Sequence, residues 1–348
     1  MSDNRGSSAV RAAPATYIAQ HGLWIVKAHG QTYAFPYVPT FHVPFAILGL
    51  PYDQRIAWMK IAGALISILP LPAAWLIARR LGLSTLGVAL MIVIPTYTSR
   101  LSFAFLPSLL GHAMDMALVA WLAGHAEALR RPRVFAAGAL LVAACQLTYI
   151  SSVMNVCVFI ALLALMAPRA AGEDRWRAAL RVLAMGFAGS ALAVAVYYRD
   201  FLDMLVDVAR RIAGLTAGGA SVYPVRGFFA VAWERTRSFF DGLYPPLAAA
   251  GLWLVWRHAR ARRLLAAWLG AYVVLLFGRA KVPDLFTHGH ETLFATPLFC
   301  LLAGEALGAL WRRGAWGRAA AAGLVAILTV QGFWSQWRFM ADQLGNAR

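Results

Sequence analysis

Apolar residues in this chain come in long, nearly unbroken blocks rather than at a helical or strand period. A hydrocarbon core about 30 Å thick takes roughly 17–25 mostly apolar residues in helical conformation. Blocks of about that size lie at 56–78, 83–98, 108–129, 134–150, 153–168, 178–198, 243–256, 264–279, 292–311 and 319–336. The pattern predicts an all-α polytopic membrane protein of about ten transmembrane helices.

Charge in the polar intervals supports that count. Arg79/Arg80, Arg130/Arg131/Arg133, Arg169/Arg175/Arg177/Arg181, Arg257/Arg260/Arg262/Arg263 and Arg312/Arg313/Arg318 occupy every second interval. The short intervals between them carry little positive charge: Arg100 in one, nothing near 150–153, and Arg279 with Lys281 in another. Short cytoplasmic loops collect Lys and Arg, so the alternation predicts the basic loops inside, the others outside, and both termini outside.

Two outer segments are more than connections. "YAFPYVPTFHVPFAILGLP" (33–51) carries Pro36, Pro39, Pro44 and Pro51 among aromatic rings. Proline fixes φ and removes a donor, so no regular helix is expected there. In 199–242, Phe201, Leu202, Leu205, Ala209 and Ile212 fall on one helical face, and Trp233, Phe239 and Phe240 on a second amphipathic piece. Both pieces suit the interface, as a loop resting on the membrane or as a lid whose Arg226, Arg235 or Arg237 meets a phosphate. The expected layout is an extracytoplasmic N-terminal segment with the aromatic and proline loop (1–54) and a first membrane-helix module of about six spans (55–198). The outer loop with interfacial helices (199–242) follows, then C-terminal membrane helices of about four spans (243–348).

Composition agrees: 61% of residues are hydrophobic and 14% charged, against about a quarter charged in soluble domains. The formal charge of +17 would suggest a nucleic-acid partner, but its division into short inter-span runs excludes a basic groove. Cys145, Cys157 and Cys300 all lie inside apolar blocks, with neither disulfide nor metal spacing. Residues 1–30 show no signal-peptide pattern.

The candidate chemistry is sparse and lies toward the outer side. Asp115 sits seven residues into a block entered from outside, roughly 10 Å deep. His112 precedes it by three residues on the same face, and Gly111 permits close approach. An acid at membrane depth is costly and marks either a functional group or an ion pair between helices. Thr287-His288-Gly289-His290-Glu291 forms a polar mouth with Lys281 and Asp284. Its two histidines and carboxylate are suited to a divalent metal or simply to a solvated loop. Glu305, beside the Gly304–Gly308 pair, is assigned to helix packing. The chain has no phosphate-loop, GxSxG or HExxH motif, so no ATP-driven step, serine elbow or zincin site is expected.

In order and context, residues 30–310 resemble the C-type membrane-embedded glycosyltransferases, namely the protein O-mannosyltransferases and the lipid A aminoarabinose transferases. "GQTYAFPYVPTFHVPFAILGLP" is similar to the aromatic end of that family's first outer loop. "IVIPTYTSRLSFAFLPSLLGHAMDMALVAWL" is similar to its proline, outer turn and embedded acid, and "VPDLFTHGHETLFATPLFCLLAGEAL" to its late outer loop and following span. The resemblance implies a bundle of that type in a bacterial inner membrane. It also implies transfer of a hexose or pentose from a polyprenyl-phosphate donor to an extracytoplasmic glycan, lipid or protein. Asp115 matches the family's second acidic position, with His112 beside it. Tyr37, Arg100, Arg226, Lys281, His288, His290 and Glu291 become the expected donor and acceptor contacts, and no metal is assigned. The family opens with a further span bearing an acidic catalytic base. Only Asp3 and Asp53 precede the first block here, which points to a shortened start or an inactive relative. A lipid-linked sugar flippase or other secondary transporter is the alternative from another class.

Overall fold

The computed structural model describes residues 25–29, 33–94, 96, 106–167, 174–206, 210, 229–230, 232–234, 240, 242–281 and 290–345. A hairpin of β1 (Ile25–His29) and β2 (Tyr33–Tyr37), paired Ile25 to Tyr37, opens the chain. The helices are α1 (Val43–Ile47), α2 (Tyr52–Ile66), α3 (Pro70–Leu81), α4 (Leu86–Val93), α5 (Leu106–His125) and α6 (Pro132–Gln146). They continue with α7 (Ile150–Leu165), α8 (Arg175–Val196), α9 (Tyr244–Val255), α10 (Ala259–Lys281), α11 (His290–Trp311) and α12 (Ala315–Gly345).

Every apolar block of the sequence meets a helix, so the protein is an all-α membrane bundle with a small hairpin appended. Six helices among the described residues are long and apolar enough to cross a bilayer: Tyr52–Leu81, Leu106–Ala128, Arg175–Val196, Ala259–Gly278, Glu291–Trp311 and Ala315–Arg338. α6, α7 and α9 are shorter apolar helices. The first block is bent between α2 and α3, where Pro70 and Pro72 supply no helical N–H.

Two expectations from the sequence are corrected. A helix does form inside the proline-rich segment, because Pro44 falls in the first turn of α1, where its missing N–H is unneeded. Phe240 is not interfacial: it is fully buried, stacked on Phe299 at 4.3 Å and edge-on to Tyr272. Trp233 is exposed, as an interfacial ring requires. Phe201 is buried in the bundle and Leu202 exposed, while Ala209 and Ile212 lie outside the described residues.

The basic connections gather at one end. Arg80 donates to the Ala120 carbonyl (2.6 Å), and Leu81, Ala126, Glu127, Arg260 and Arg263 line one cavity. Glu305 accepts from the Ser84 amide (2.7 Å) and from Arg312 (3.1 Å), which is the packing role expected of it. At the opposite end the aromatic loop covers the bundle. Val38 is buried with Ala193, Tyr197, Tyr198 and Phe201, and Thr40 donates its hydroxyl to the Leu147 carbonyl.

α11 is the central strut, packed on α4, α5, α9, α10 and α12. Close approach is made by glycine. A Cβ at Gly304 would run into the Gly87 backbone, and one at Gly251 into the Leu302 carbonyl. Gly304→Ala is therefore expected to destabilise by about 1–3 kcal/mol, the usual range for overpacking. Gly323→Ala, whose methyl would meet open space, should be neutral or stabilising by up to about 1 kcal/mol. Thermal midpoints of the purified protein in detergent check this, and equal shifts for the two variants would refute the close-packed contact.

Candidate functional site

α5 carries a polar stripe through an otherwise apolar helix. Ser108, His112 and Asp115 recur at i, i+4 and i+7, so they share one face, and all are at most 3% exposed. That face meets α7. Gly111 makes the meeting possible, since a Cβ there would lie 2.6 Å from Tyr149 Cβ and 3.1 Å from Ser152 Oγ. The close approach expected at Gly111 is thus made by a neighbouring helix.

Asp115 Oδ2 accepts a 3.1 Å hydrogen bond from Asn155 Nδ2. Asp115 Oδ1 has no hydrogen-bond partner among the described residues. A small cavity joins Asp115 and His112 to Ser108, Tyr149, Ser152 and Asn155, with Leu293 of α11 beside them. The carboxylate is thus held through one oxygen while the other is buried without a hydrogen-bond partner among the described residues, beside that cavity. Among the described residues Asp115 pairs with no cation; its partners are neutral, the Asn155 amide and the Ser152 hydroxyl.

α11 brings a second acid to the same end of the bundle. Glu291 is 1% exposed and lies two residues before Leu293, with Thr292 Oγ1 3.5 Å from its Oε1. Pro297 inside α11 supplies no N–H to the carbonyl four residues back, that of Leu293. The helix is braced beside this point by Trp268, whose indole N–H donates to the Phe294 carbonyl at 3.0 Å.

Of the residues expected from the sequence, the structure therefore brings Asp115 and His112 into one cavity and Glu291 to its neighbourhood. Tyr37 ends β2, Lys281 ends α10 and His290 opens α11, each placed by its backbone. Arg100, Arg226 and His288 lie outside the described residues, as do Asp284, Arg235 and Arg237. Among the described residues no three His, Cys, Asp or Glu side chains cluster as metal ligands. Sequence reading missed Asn155, Ser108, Ser152 and Tyr149. The signal available was "YISSVMNV", where Ser152 and Asn155 fall at i and i+3 in an apolar run.

Asn155→Ala should destabilise the protein by about 1–3 kcal/mol, because it strips one of two donors from a buried carboxylate. Combining it with Asp115→Ala should cost less than the two single changes summed, since no charge then remains to be satisfied. Thermal midpoints of the four proteins measure the coupling, and strictly additive shifts would show that the two side chains act independently.

No family model matches the chain, and no curated protein matches it in sequence. The fold is nevertheless shared with a solved structure, the Archaeoglobus fulgidus oligosaccharyltransferase, crystallised in complex with zinc and sulfate. The match has a TM-score of 0.57 at 12% sequence identity, over 95% of this chain and 49% of that one. The chain thus spans about half the length of the protein it matches. At that identity the likeness establishes architecture alone: this bundle shares the fold of about half of that oligosaccharyltransferase.

Proposed function

We propose that the protein is a membrane glycosyltransferase that moves a sugar from a polyprenyl-phosphate donor to an acceptor hydroxyl or amine on the extracytoplasmic side. The observation that carries this reading is the Asp115 carboxylate. It is buried in a span, tethered through Oδ2 to Asn155, and its Oδ1 has no hydrogen-bond partner among the described residues beside a polar cavity. The shared fold supports it.

In the proposed reaction the acceptor attacks the anomeric carbon. The new glycosidic bond forms as the bond to the phosphate oxygen breaks, and Asp115 Oδ1 takes the acceptor's proton. Asn155 aims the carboxylate, and the low-dielectric wall of α5 and α7 strengthens its pull on that proton. The departing lipid phosphate needs cationic partners. Arg100, Arg226 and Lys281 are proposed for that role, with Tyr37, His112, His288, His290 and Glu291 as further donor and acceptor contacts. No step is routed through a metal.

Sidedness follows from charge. The cavity lies at the end away from Arg80, Arg260, Arg263 and Arg312. If the basic end is cytoplasmic, the site faces outward from a bacterial inner membrane.

Two measurements test the proposal. Asp115→Asn keeps the side-chain shape but removes the base, and should cut transfer from short isoprenyl-phosphate sugars by about 10²–10⁴-fold with the thermal midpoint little changed. Retained transfer would eliminate Asp115 as the base, and no transfer by the parent protein from any such donor would remove the enzymatic reading. Cysteines placed singly at the exposed Asp200 and Arg131 should react with a membrane-impermeant maleimide from outside only at position 200. The reverse labelling would invert the site's orientation.

A further inference from the structure

Pro297 stands where its chemistry bears on the cavity beside Asp115. It follows Leu293 by four residues in α11, and residues at that spacing share one face of a helix. Leu293 lines the cavity, so the gap that Pro297 leaves in the hydrogen-bond ladder falls on the same side of α11. The missing N–H is the one that a regular helix directs at the Leu293 carbonyl, and the proline ring also presses that carbonyl off the helix axis.

The carbonyls on either side are better served. Thr296 donates its hydroxyl to the Thr292 carbonyl at 2.9 Å, and Trp268 donates its indole N–H to the Phe294 carbonyl at 3.0 Å. Among the described residues no side chain donates to the Leu293 carbonyl between them. Leu293 and Pro297 are both buried, which keeps bulk solvent from this break. A proline inside a span is normally tolerated because a nearby side chain or an ordered water takes up the freed carbonyl. Here the side chains that could do so serve its neighbours, and the Leu293 carbonyl is left for a molecule that enters the cavity.

We infer, on the transferase reading, that the Leu293 carbonyl accepts a hydrogen bond from a hydroxyl of the donor sugar, with Pro297 keeping it available by supplying no competing N–H. The Asp115 carboxylate and the Leu293 carbonyl are both acceptors, so a group bound between them has to donate. A sugar hydroxyl does so. A phosphodiester oxygen carries no proton and is repelled by the carboxylate, so the cavity takes the sugar end of the donor and the lipid phosphate lies outside it. Leu293 is thus a positioning residue that acts through its backbone.

The test pairs two substitutions that supply the missing N–H, Pro297→Ala and Pro297→Val, the second closer to proline in volume. Without ligand, at least one should raise the thermal midpoint of the full chain by about 2 °C or more, as the ladder closes. Native mass spectrometry then measures binding of farnesyl phosphate carrying glucose, mannose or galactose, of the monodeoxy analogues of whichever binds, and of farnesyl phosphate alone. Both variants should bind the intact donor about fivefold more weakly than the parent, the worth of one neutral hydrogen bond. One monodeoxy donor, and farnesyl phosphate alone, should bind variants and parent equally. Trp268→Phe, which strips the donor from the adjacent Phe294 carbonyl, should lower the midpoint and single out no monodeoxy donor. Midpoints that rise in neither Pro297 variant would show the Leu293 carbonyl already satisfied. Undiminished donor binding, or the same loss for every donor and for farnesyl phosphate alone, would overturn the sugar contact, the latter by reducing the effect to helix shape. A parent protein that binds none of the sugars would instead remove the transferase reading, and this contact with it.

Discussion

Helices in a bilayer gain nothing from exchanging lipid tails for leucine side chains, so their association rests on close fit and on polar bonds that lipid cannot supply. α11 is where this constraint is most visible. It approaches α4 through Gly304 and Gly87, and α9 through Gly251. Glu305 ties it to the start of α4 at the basic end, and Trp268 ties α10 to it near the other. With both ends fixed, the position of Leu293 relative to α5 is fixed too, and with it the wall of the cavity beside Asp115.

The same constraint explains why the polar stripe of α5 is tolerated. Each polar side chain placed at membrane depth has to find a partner on another helix. Gly111 lets α7 come near enough for Asn155 to reach Asp115. Only part of the carboxylate is satisfied this way, and the remaining oxygen is a desolvation cost that packing elsewhere must offset. Such a residue is tolerable because the surrounding contacts are dense. The aromatic and proline segment contributes here: Val38 and Thr40 seat it on the ends of α6, α7 and α8, so the loop covers the bundle end nearest the site.

Most of the architecture was legible before the structure. Unbroken apolar blocks gave the helices, and alternate arginine clusters gave the two ends of the bundle, because both are local consequences of hydrocarbon thickness and charge. Failures came where a residue's fate depended on something remote. Phe240 reads as an interfacial ring beside Trp233, yet Phe299 and Tyr272 draw it into the core. Pro44 reads as a helix breaker until its place in a first turn is known. The hairpin of β1 and β2 left no turn signal that the reading caught.

The site divides in the same way. Asp115 and His112 were candidates from sequence alone, since an acid in an apolar block is improbable by solvation energy and the i, i+3 spacing sets a shared face. Asn155, Ser152 and Leu293 were not, because helical periodicity fixes which residues share a face of one helix but not which face of another helix it meets. That choice depends on the glycines that let particular surfaces touch. The sequence by itself therefore determined that this chain spans a membrane and carries an acid within it. Only the tertiary structure decided that one oxygen of that acid is held by an amide from a neighbouring helix and the other buried without a hydrogen-bond partner among the described residues.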